Sequence, residues 1–560
     1  MRRSRRLRRS PGRWRRVRDS SDDGSILDLP GDTWLKFHPA GDQRTTRHLP
    51  EFCIAGGDDP ESKPHAGQIL SPPLESVTVD NVHRYLELVR TQLATTLWPL
   101  PEHAHARTVA QHCIDIADGI AARTRTAPEI DAKTFAAYTN LLPELTDALD
   151  RRGRIELSRA ITERAQTEAD LPALRTLICD AVQALFSSSP DTTDTTLLID
   201  ILRVERETSQ AIHEAVNRTV ETSEATSEQT DVHDPLTTYL QRHPHEQGQC
   251  TIDAITEIPG GYSKKTYLVE LHGSSWLPDR VIVRSEKQFN VLGTSLETEY
   301  LTLQVVADAG LPVATPYHLE TDPTILGGPF ALFQWIEGSI IGDIDTVRAP
   351  SETFGRSMAR AMAQLHSLPT TDVPTSTEAP VAPSRQMAEL LDTYRRKWES
   401  TGIVSPAVQL AYDWLESACP LLDGHIGLVH CDLGCHNLLV APDGEVAAIL
   451  DWEMAKIGNP AQDLGYFYYT AVQLLPWDDF LAAYEAEGGT VPSRLEISFF
   501  RLWRELWRLT NISHAKRVIE AGEADDIGLA RASICKVDEL AARVEGLLME
   551  ILQPAHTPAR

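Results

Sequence analysis

LVHCDLGCHNLLV, from Leu428 to Val440, and AILDWE, ending at Glu453, decide how this chain is read. Each is an apolar run carrying a few groups that are costly to bury. His430, Asp432 and Asn437 sit in the first, and Asp451 in the second. An ionised carboxylate in such a setting costs several kcal/mol unless it is paired or holds a metal. Asp432 and Asn437 are five positions apart, and Asp451 is fourteen further on. APDGEV between the runs contains Asp443-Gly444, a turn signal. The two runs therefore read as adjacent strands of a hairpin, with the polar groups converging at one end. Two carboxylates and an amide so placed suggest a magnesium–phosphate site.

Upstream, from 251 to 285, the hydrophobic period is two. TIDAITEI, TYLVEL and RVIVR read as three short strands. IPGGYSKKT separates the first two, and its Gly260 and Gly261 allow close approach of the backbone to a ligand, with Ser263 and Lys264 following. Taken alone this is also what a hairpin turn looks like. Arg284 has the parity of Ile282, opposite to Val281 and Val283, and so can aim a cation at whatever the glycine loop covers. TSLETEYLTLQVVADA, 294–309, reads as a helix. Its Glu299 is either a solvated position or the partner of Arg284. LPVATPYHLE and FALFQWIEG add two strands and lead to a connector at Gly338. Helical patterns then cover 352–368, 384–399 and 405–418, and, after the hairpin, 463–474, 476–486, 495–521 and 526–552.

The order Asp–Asn–Asp is the protein-kinase arrangement of catalytic base and two metal ligands. The residues are not those of protein kinases: H-C-D stands for H-R-D, D-W-E for D-F-G, and no A-P-E follows. Residues 233–553 instead resemble the aminoglycoside phosphotransferase and choline-kinase-like family of small-molecule kinases. The likeness is greatest to the branch linked to acyl-CoA dehydrogenases. It is carried by IPGGYSKKTYLV, VIVR, ETEYLTLQ, LFQWIEG, LHSL, LVHCDLGCHNLLV and ILDWEMAKIGNPAQDLGY. The resemblance implies an α+β, protein-kinase-like bilobal fold: a small β-rich lobe over 233–340 and a large α-rich lobe over 341–553, with a tail at 554–560. It also implies ATP and Mg²⁺ as cofactors and transfer of the γ-phosphate to a hydroxyl of a small molecule, an amino sugar or a hydroxyacyl-type metabolite.

By the same resemblance, Asp432 would be the base, and Asn437 and Asp451 would hold Mg²⁺. Arg284 would contact the phosphates, and Glu299 would pair with it. Gly260, Gly261 and Ser263 would cover the nucleotide, and Gln334 and Ile336 would meet the adenine through their backbones. His430 would buttress the loop, and Asp463 would tie it down. The competing reading is a catalytically inactive nucleotide-binding regulatory module. Cys431 and Cys435 read as small core thiols rather than zinc ligands, since C-x-x-x-C is a poor zinc signature.

The first half of the chain resembles nothing specific. Residues 2–18 hold ten arginines and no acid, leaving −37 of charge on the rest of a chain whose net charge is −27. So acidic a body argues against nucleic acid or anionic lipid as partner. The arginine-rich arm reads as a leader, or else as a tether. Residues 19–74 read as loop. Helical stripes from Asp80 to Leu97 and at 106–122, 132–149, 154–166, 172–186 and 196–218 give an all-α domain over 76–218, with linker composition at 219–232. Its role is open: a substrate lid, a docking surface or a homodimer interface. His103, His105, His112 and Asp115 lack a specific metal spacing and read as solvated helix faces. Acidic EAGEADD, from Glu520, reads as a turn, or as a wall for a cationic substrate. The eight scattered cysteines imply a reducing, cytoplasmic setting, and no apolar run is long enough for a membrane span.

Overall fold

The computed structural model describes residues 25–29, 33–37, 104–167, 170–187, 190–218, 232–247, 249–258, 264–286, 295–372, 382–520 and 527–553. Within the stretch read as loop, β1 (Ser25–Leu29) and β2 (Thr33–Phe37) pair as an antiparallel hairpin. The arginine-rich arm, Asp80–Leu97, Gly260, Gly261, Ser263 and most of EAGEADD lie outside the described residues.

Four helices come first: α1 (Ala104–Arg151), α2 (Ile155–Thr167), α3 (Leu171–Phe186) and α4 (Thr192–Asn217). The stripes at 106–122 and 132–149 are one helix, not two. Pro128 and Pro143 lie inside it. Each removes one helical N–H, a local penalty that packing can exceed. The buried side chains Ala117, Ala121, Ala122, Ile130, Tyr138, Leu145 and Leu149 run through both prolines, so the core holds the helix continuous.

After α5 (His233–Arg242), the alternating runs fold into a five-stranded antiparallel sheet of order β3-β4-β5-β7-β6. Its strands are β3 (Thr251–Ile258), β4 (Lys264–His272), β5 (Arg280–Glu286), β6 (Pro316–Glu320) and β7 (Phe330–Gln334). Period-two parity divides the side chains between the faces. Val281, Val283, Phe330 and Leu332 form one core with Leu236 and Leu240 of α5. Ala331 and Phe333 turn the other way, into a core shared with Leu296, Tyr300 and Leu303 of α6 (Leu296–Asp308). That second face carries Ile282 and Arg284, so the parity read from RVIVR delivers the guanidinium to α6.

The large lobe begins after β8 (Ser339–Ile340) with α7 (Glu352–His366), α8 (Pro383–Glu399) and α9 (Pro406–Ala418). Next come β9 (Gly427–Val429), β10 (Leu438–Val440), β11 (Val446–Ile449) and β12 (Lys456–Gly458). β10 and β11 are the antiparallel hairpin expected from the turn at Asp443-Gly444. The chain ends in α10 (Ala461–Leu474), α11 (Trp477–Ala486), α12 (Arg494–Glu520), α13 (Ile527–Cys535) and α14 (Val537–Leu552). A small β-rich lobe followed by a large α-rich lobe makes this an α+β, kinase-like fold. Among the described residues no helix is long and apolar enough to cross a membrane.

The N-terminal helices pack on the large lobe. Leu174, Leu198 and Leu202 share one hydrophobic core with Leu415, Leu540 and Val544. Polar contacts reinforce the seam: Ser209 Oγ donates to Glu545 Oε1 (3.0 Å), and Arg123 donates to the Ile534 carbonyl (2.7 Å). Asp115 is not a solvated position. It is buried and accepts from Arg531 Nε at 2.5 Å and from Gln111 at 2.7 Å.

At Gly465 α10 lies close against α12. A Cβ there would stand 2.9 Å from the Phe500 Cβ and 3.1 Å from the Arg501 nitrogen. Gly465→Ala is expected to lower stability by about 1–3 kcal/mol through overpacking. An unchanged thermal melt would show that the helices separate freely.

Candidate functional site

The first apolar run passes from β9 into a loop whose backbone is held from α10. Asp463 is fully buried. Its carboxylate accepts from the His430 N–H (2.8 Å), the Cys431 N–H (2.7 Å) and His366 Nε2 (3.1 Å). Consecutive amides converging on one carboxylate fix the loop's course. Cys431 takes φ 70°, a strained left-handed conformation for a side-chain-bearing residue. His430 stitches the loop to the second run. Its Nδ1 accepts from the Asp432 N–H (3.2 Å), and its Nε2 donates to the Leu450 carbonyl (2.9 Å). Trp452 meets the His430 ring edge-on, with centroids 4.7 Å apart.

The loop presents Asp432 with both oxygens engaged. Tyr466 donates its hydroxyl to Oδ1, and Asn437 Nδ2 donates to Oδ2 at 2.9 Å. His436 Nε2 stands 3.7 Å from the same Oδ2. Burial opposes ionisation of Asp432, but the nearby His436 imidazole and the Tyr466 hydroxyl outweigh it. The carboxyl is held down at about 2. Burial and the Asp432 charge push the Tyr466 hydroxyl far above its usual range, so it stays a donor.

Asp451 follows β11 with φ 63°, the second strained position. Its Oδ1 accepts from Arg284 Nη2 at 2.8 Å. Arg284 also donates to Glu299, which is buried on α6. Burial opposes ionisation of Asp451, while Arg284 favours it through charge and hydrogen bond and holds the carboxyl low. Burial pushes the Glu299 carboxyl up against the pull of Arg284. The structure thus brings His430, Asp432, Asn437, Asp451, Arg284, Glu299 and Asp463 together from five separate segments.

Gln334 and Ile336 lie where β7 leaves the small lobe. The Gln334 N–H already donates to the Thr315 carbonyl (2.9 Å), and its side-chain Oε1 accepts from the Thr315 hydroxyl (2.8 Å). The expectation of base contacts through this backbone therefore narrows to the Gln334 carbonyl and Ile336. Gly260, Gly261 and Ser263 fall outside the described residues. Cys435 is buried, with Sγ 3.2 Å from the Thr470 hydroxyl, and burial raises both it and Cys431, the latter to about 12. Such thiols are poor ligands and nucleophiles. Among the described residues no three His, Cys, Asp or Glu side chains group around a metal position.

Three members of the site were not read from the sequence. Lys264 is buried, 2.5 Å from Glu453 Oε2 and 3.1 Å from Glu299 Oε2. Glu453 itself lies two residues after Asp451. Tyr466 lies three residues after Asp463, one helical turn along α10, which carries it to the same loop. That spacing was the one available signal.

Residues 254–498 match the family model described as the phosphotransferase enzyme family. The chain carries a phosphotransferase-family domain. Its matched span takes in every site residue named above. Mouse acyl-CoA dehydrogenase family member 10 is 31% identical over 221 residues, covering 38% of this chain and 20% of its own length. Human acyl-CoA dehydrogenase family member 11 is 26% identical over 242 residues, covering 41% of this chain and 30% of its own. The chain thus spans less than a third of either relative.

Among solved structures, the macrolide 2'-phosphotransferase MphH from Brachybacterium faecium aligns with TM-score 0.39 at 19% identity, over 55% of this chain and 98% of its own. Choline kinase LicA from Streptococcus pneumoniae aligns with TM-score 0.39 at 17% identity, over 52% of this chain and 93% of its own.

Proposed function

We propose that the phosphotransferase-family domain is an ATP-dependent kinase that moves the γ-phosphate to a hydroxyl of a small molecule. The observation that carries this is the meeting of Asp432, Asn437 and Asp451 at one end of the hairpin, facing Arg284. Phosphoryl transfer asks a protein mainly for positioning and charge neutralisation, and these residues supply both.

The donor set fits a divalent cation. Asn437 Nδ2 is committed to Asp432, donating to its carbonyl (3.0 Å) and its carboxylate (2.9 Å), which leaves Oδ1 as the oxygen ligand the amide can offer. Asp451 has Oδ1 on Arg284, leaving Oδ2. Mg²⁺ keeps several waters and phosphate oxygens and needs few protein ligands, so Asn437 and Asp451 suffice. When bound, it neutralises charge on the transferring phosphate. Arg284 Nε is buried with no acceptor in the arrangement present, and a phosphate oxygen can supply one once the guanidinium turns towards it. The Gln334 carbonyl and the Ile336 backbone meet the base. Asp432, ionised at neutral pH, orients the acceptor hydroxyl and takes its proton, with Tyr466 and Asn437 fixing the carboxylate's angle.

The test is to incubate the full chain with ATP, Mg²⁺ and a metabolite extract, and to search by mass for a molecule that has gained one phosphate. A phosphorylated alcohol absent from the ATP-free control supports the kinase reading. If ATP–Mg²⁺ raises the melting temperature but no molecule gains phosphate, the regulatory-module reading replaces it.

A further inference from the structure

One cation is enough to hold Glu299, yet two reach it. Arg284 bonds Oε1, and Lys264 Nζ stands 3.1 Å from Oε2. That second approach is an ion pair without hydrogen-bond alignment, since Oε2 has no hydrogen-bond partner. The better-aligned bond of Lys264 goes to Glu453 Oε2 at 2.5 Å. The result is a chain of alternating charge, Glu453–Lys264–Glu299–Arg284–Asp451. It starts and ends on the segment after β11 and crosses the small lobe through β4, α6 and β5. Lys264 and Glu299 are almost wholly shielded from solvent, with side chains 1% and 0% exposed.

The position of Arg284 poses a problem for catalysis. It is fastened to Asp451, a residue assigned above to the metal. To reach the phosphates, its guanidinium must loosen from its carboxylates. Removing the sole partner of a buried carboxylate is strongly unfavourable. If Arg284 were alone, Glu299 would hold it back. Lys264 removes the obstacle, because it already stands at the other oxygen of Glu299 and is itself anchored by Glu453.

We propose that Lys264 is a positioning residue of the phosphate site: it keeps Glu299 and Glu453 paired while Arg284 turns from Asp451 to the nucleotide phosphates. This rests on the kinase reading. Lys264 acts through Arg284 and does not itself meet the nucleotide.

A double-mutant cycle on the full chain tests it, with ADP–Mg²⁺ and adenosine as calorimetric probes. Lys264→Met is expected to weaken ADP–Mg²⁺ binding about tenfold and to leave adenosine binding unchanged. Lys264→Arg should retain ADP–Mg²⁺ binding. Arg284→Met should lose a similar factor, and adding Lys264→Met to it should cost nothing more. Losses that multiply in the double variant would overturn the proposal, as independent contacts do. So would wild-type ADP–Mg²⁺ affinity in Lys264→Met, or an equal loss for adenosine, which marks general damage to the cleft.

Should Lys264→Met melt too low to measure, Lys264→Met with Glu453→Gln removes both ends of the pair and is read the same way. Wild-type protein that binds neither probe sinks the kinase reading, and the proposal with it. Wild-type binding with additive losses sinks the proposal alone.

Discussion

Asp432→Asn is expected to cut phosphate transfer by about 10²–10⁴-fold while ADP–Mg²⁺ binding stays close to wild type. The carboxylate accepts from two donors, the Tyr466 hydroxyl and Asn437 Nδ2. An asparagine can keep its oxygen towards Asn437 and turn its amide to Tyr466, whose hydroxyl can then accept. The loop is therefore preserved while the proton acceptor is lost. His430, Asp463 and the Asp451–Arg284 pair do not depend on the charge of Asp432 for their hydrogen bonds. ADP release from ATP in the presence of the unphosphorylated acceptor alcohol measures the first quantity, and calorimetry the second. Equal turnover in the two proteins would remove Asp432 from the chemistry.

Asp463→Ala should have the largest effect on stability, a loss of about 3–5 kcal/mol. The substitution leaves the His430 and Cys431 amides and the His366 imidazole without their acceptor, all in a part of the core that water does not reach. Cys431 is already strained at φ 70°, and these bonds are what hold it there. Asp463→Asn restores one acceptor oxygen and should recover part of the loss. Denaturant unfolding of the three proteins decides it. An alanine variant as stable as wild type would mean that the loop holds its course without this residue.

The parts of the site that were legible in the sequence are those whose meaning is local. In LVHCDLGCHNLLV and AILDWE, strand, turn and strand follow one another, and the polar residues stand out against apolar neighbours. Arg284 and Glu299 were legible because strand parity and order along the chain tied them to one face of the small lobe. Lys264 was not. A lysine after a glycine turn reads as the exposed end of a hairpin, and only the fold brings Glu453 to it across 189 positions. Tyr466 was lost in an aromatic stretch, GYFYY, whose members look alike until the helix is turned against the loop.

The helical half misled in two ways. The stretch around Pro128 was read as a gap between two stripes, because the cost of a proline is local and the packing that exceeds it is distant. Asp115 looked solvated because its partner, Arg531, comes 416 residues later.

The packing of the N-terminal helices on α13 and α14 has a further consequence. The last helices of the chain are gripped between its first described helix and the large lobe, so sequence order and assembly order differ. A cut anywhere in 219–231 would leave the small-lobe core whole but divide the core that the helices share with the large lobe: one fragment would bare Leu198 and Leu202, the other Leu540 and Val544. The first helices cover part of their apolar surface on one another, but the seam they share with α14 is complete only when both ends of the chain are present.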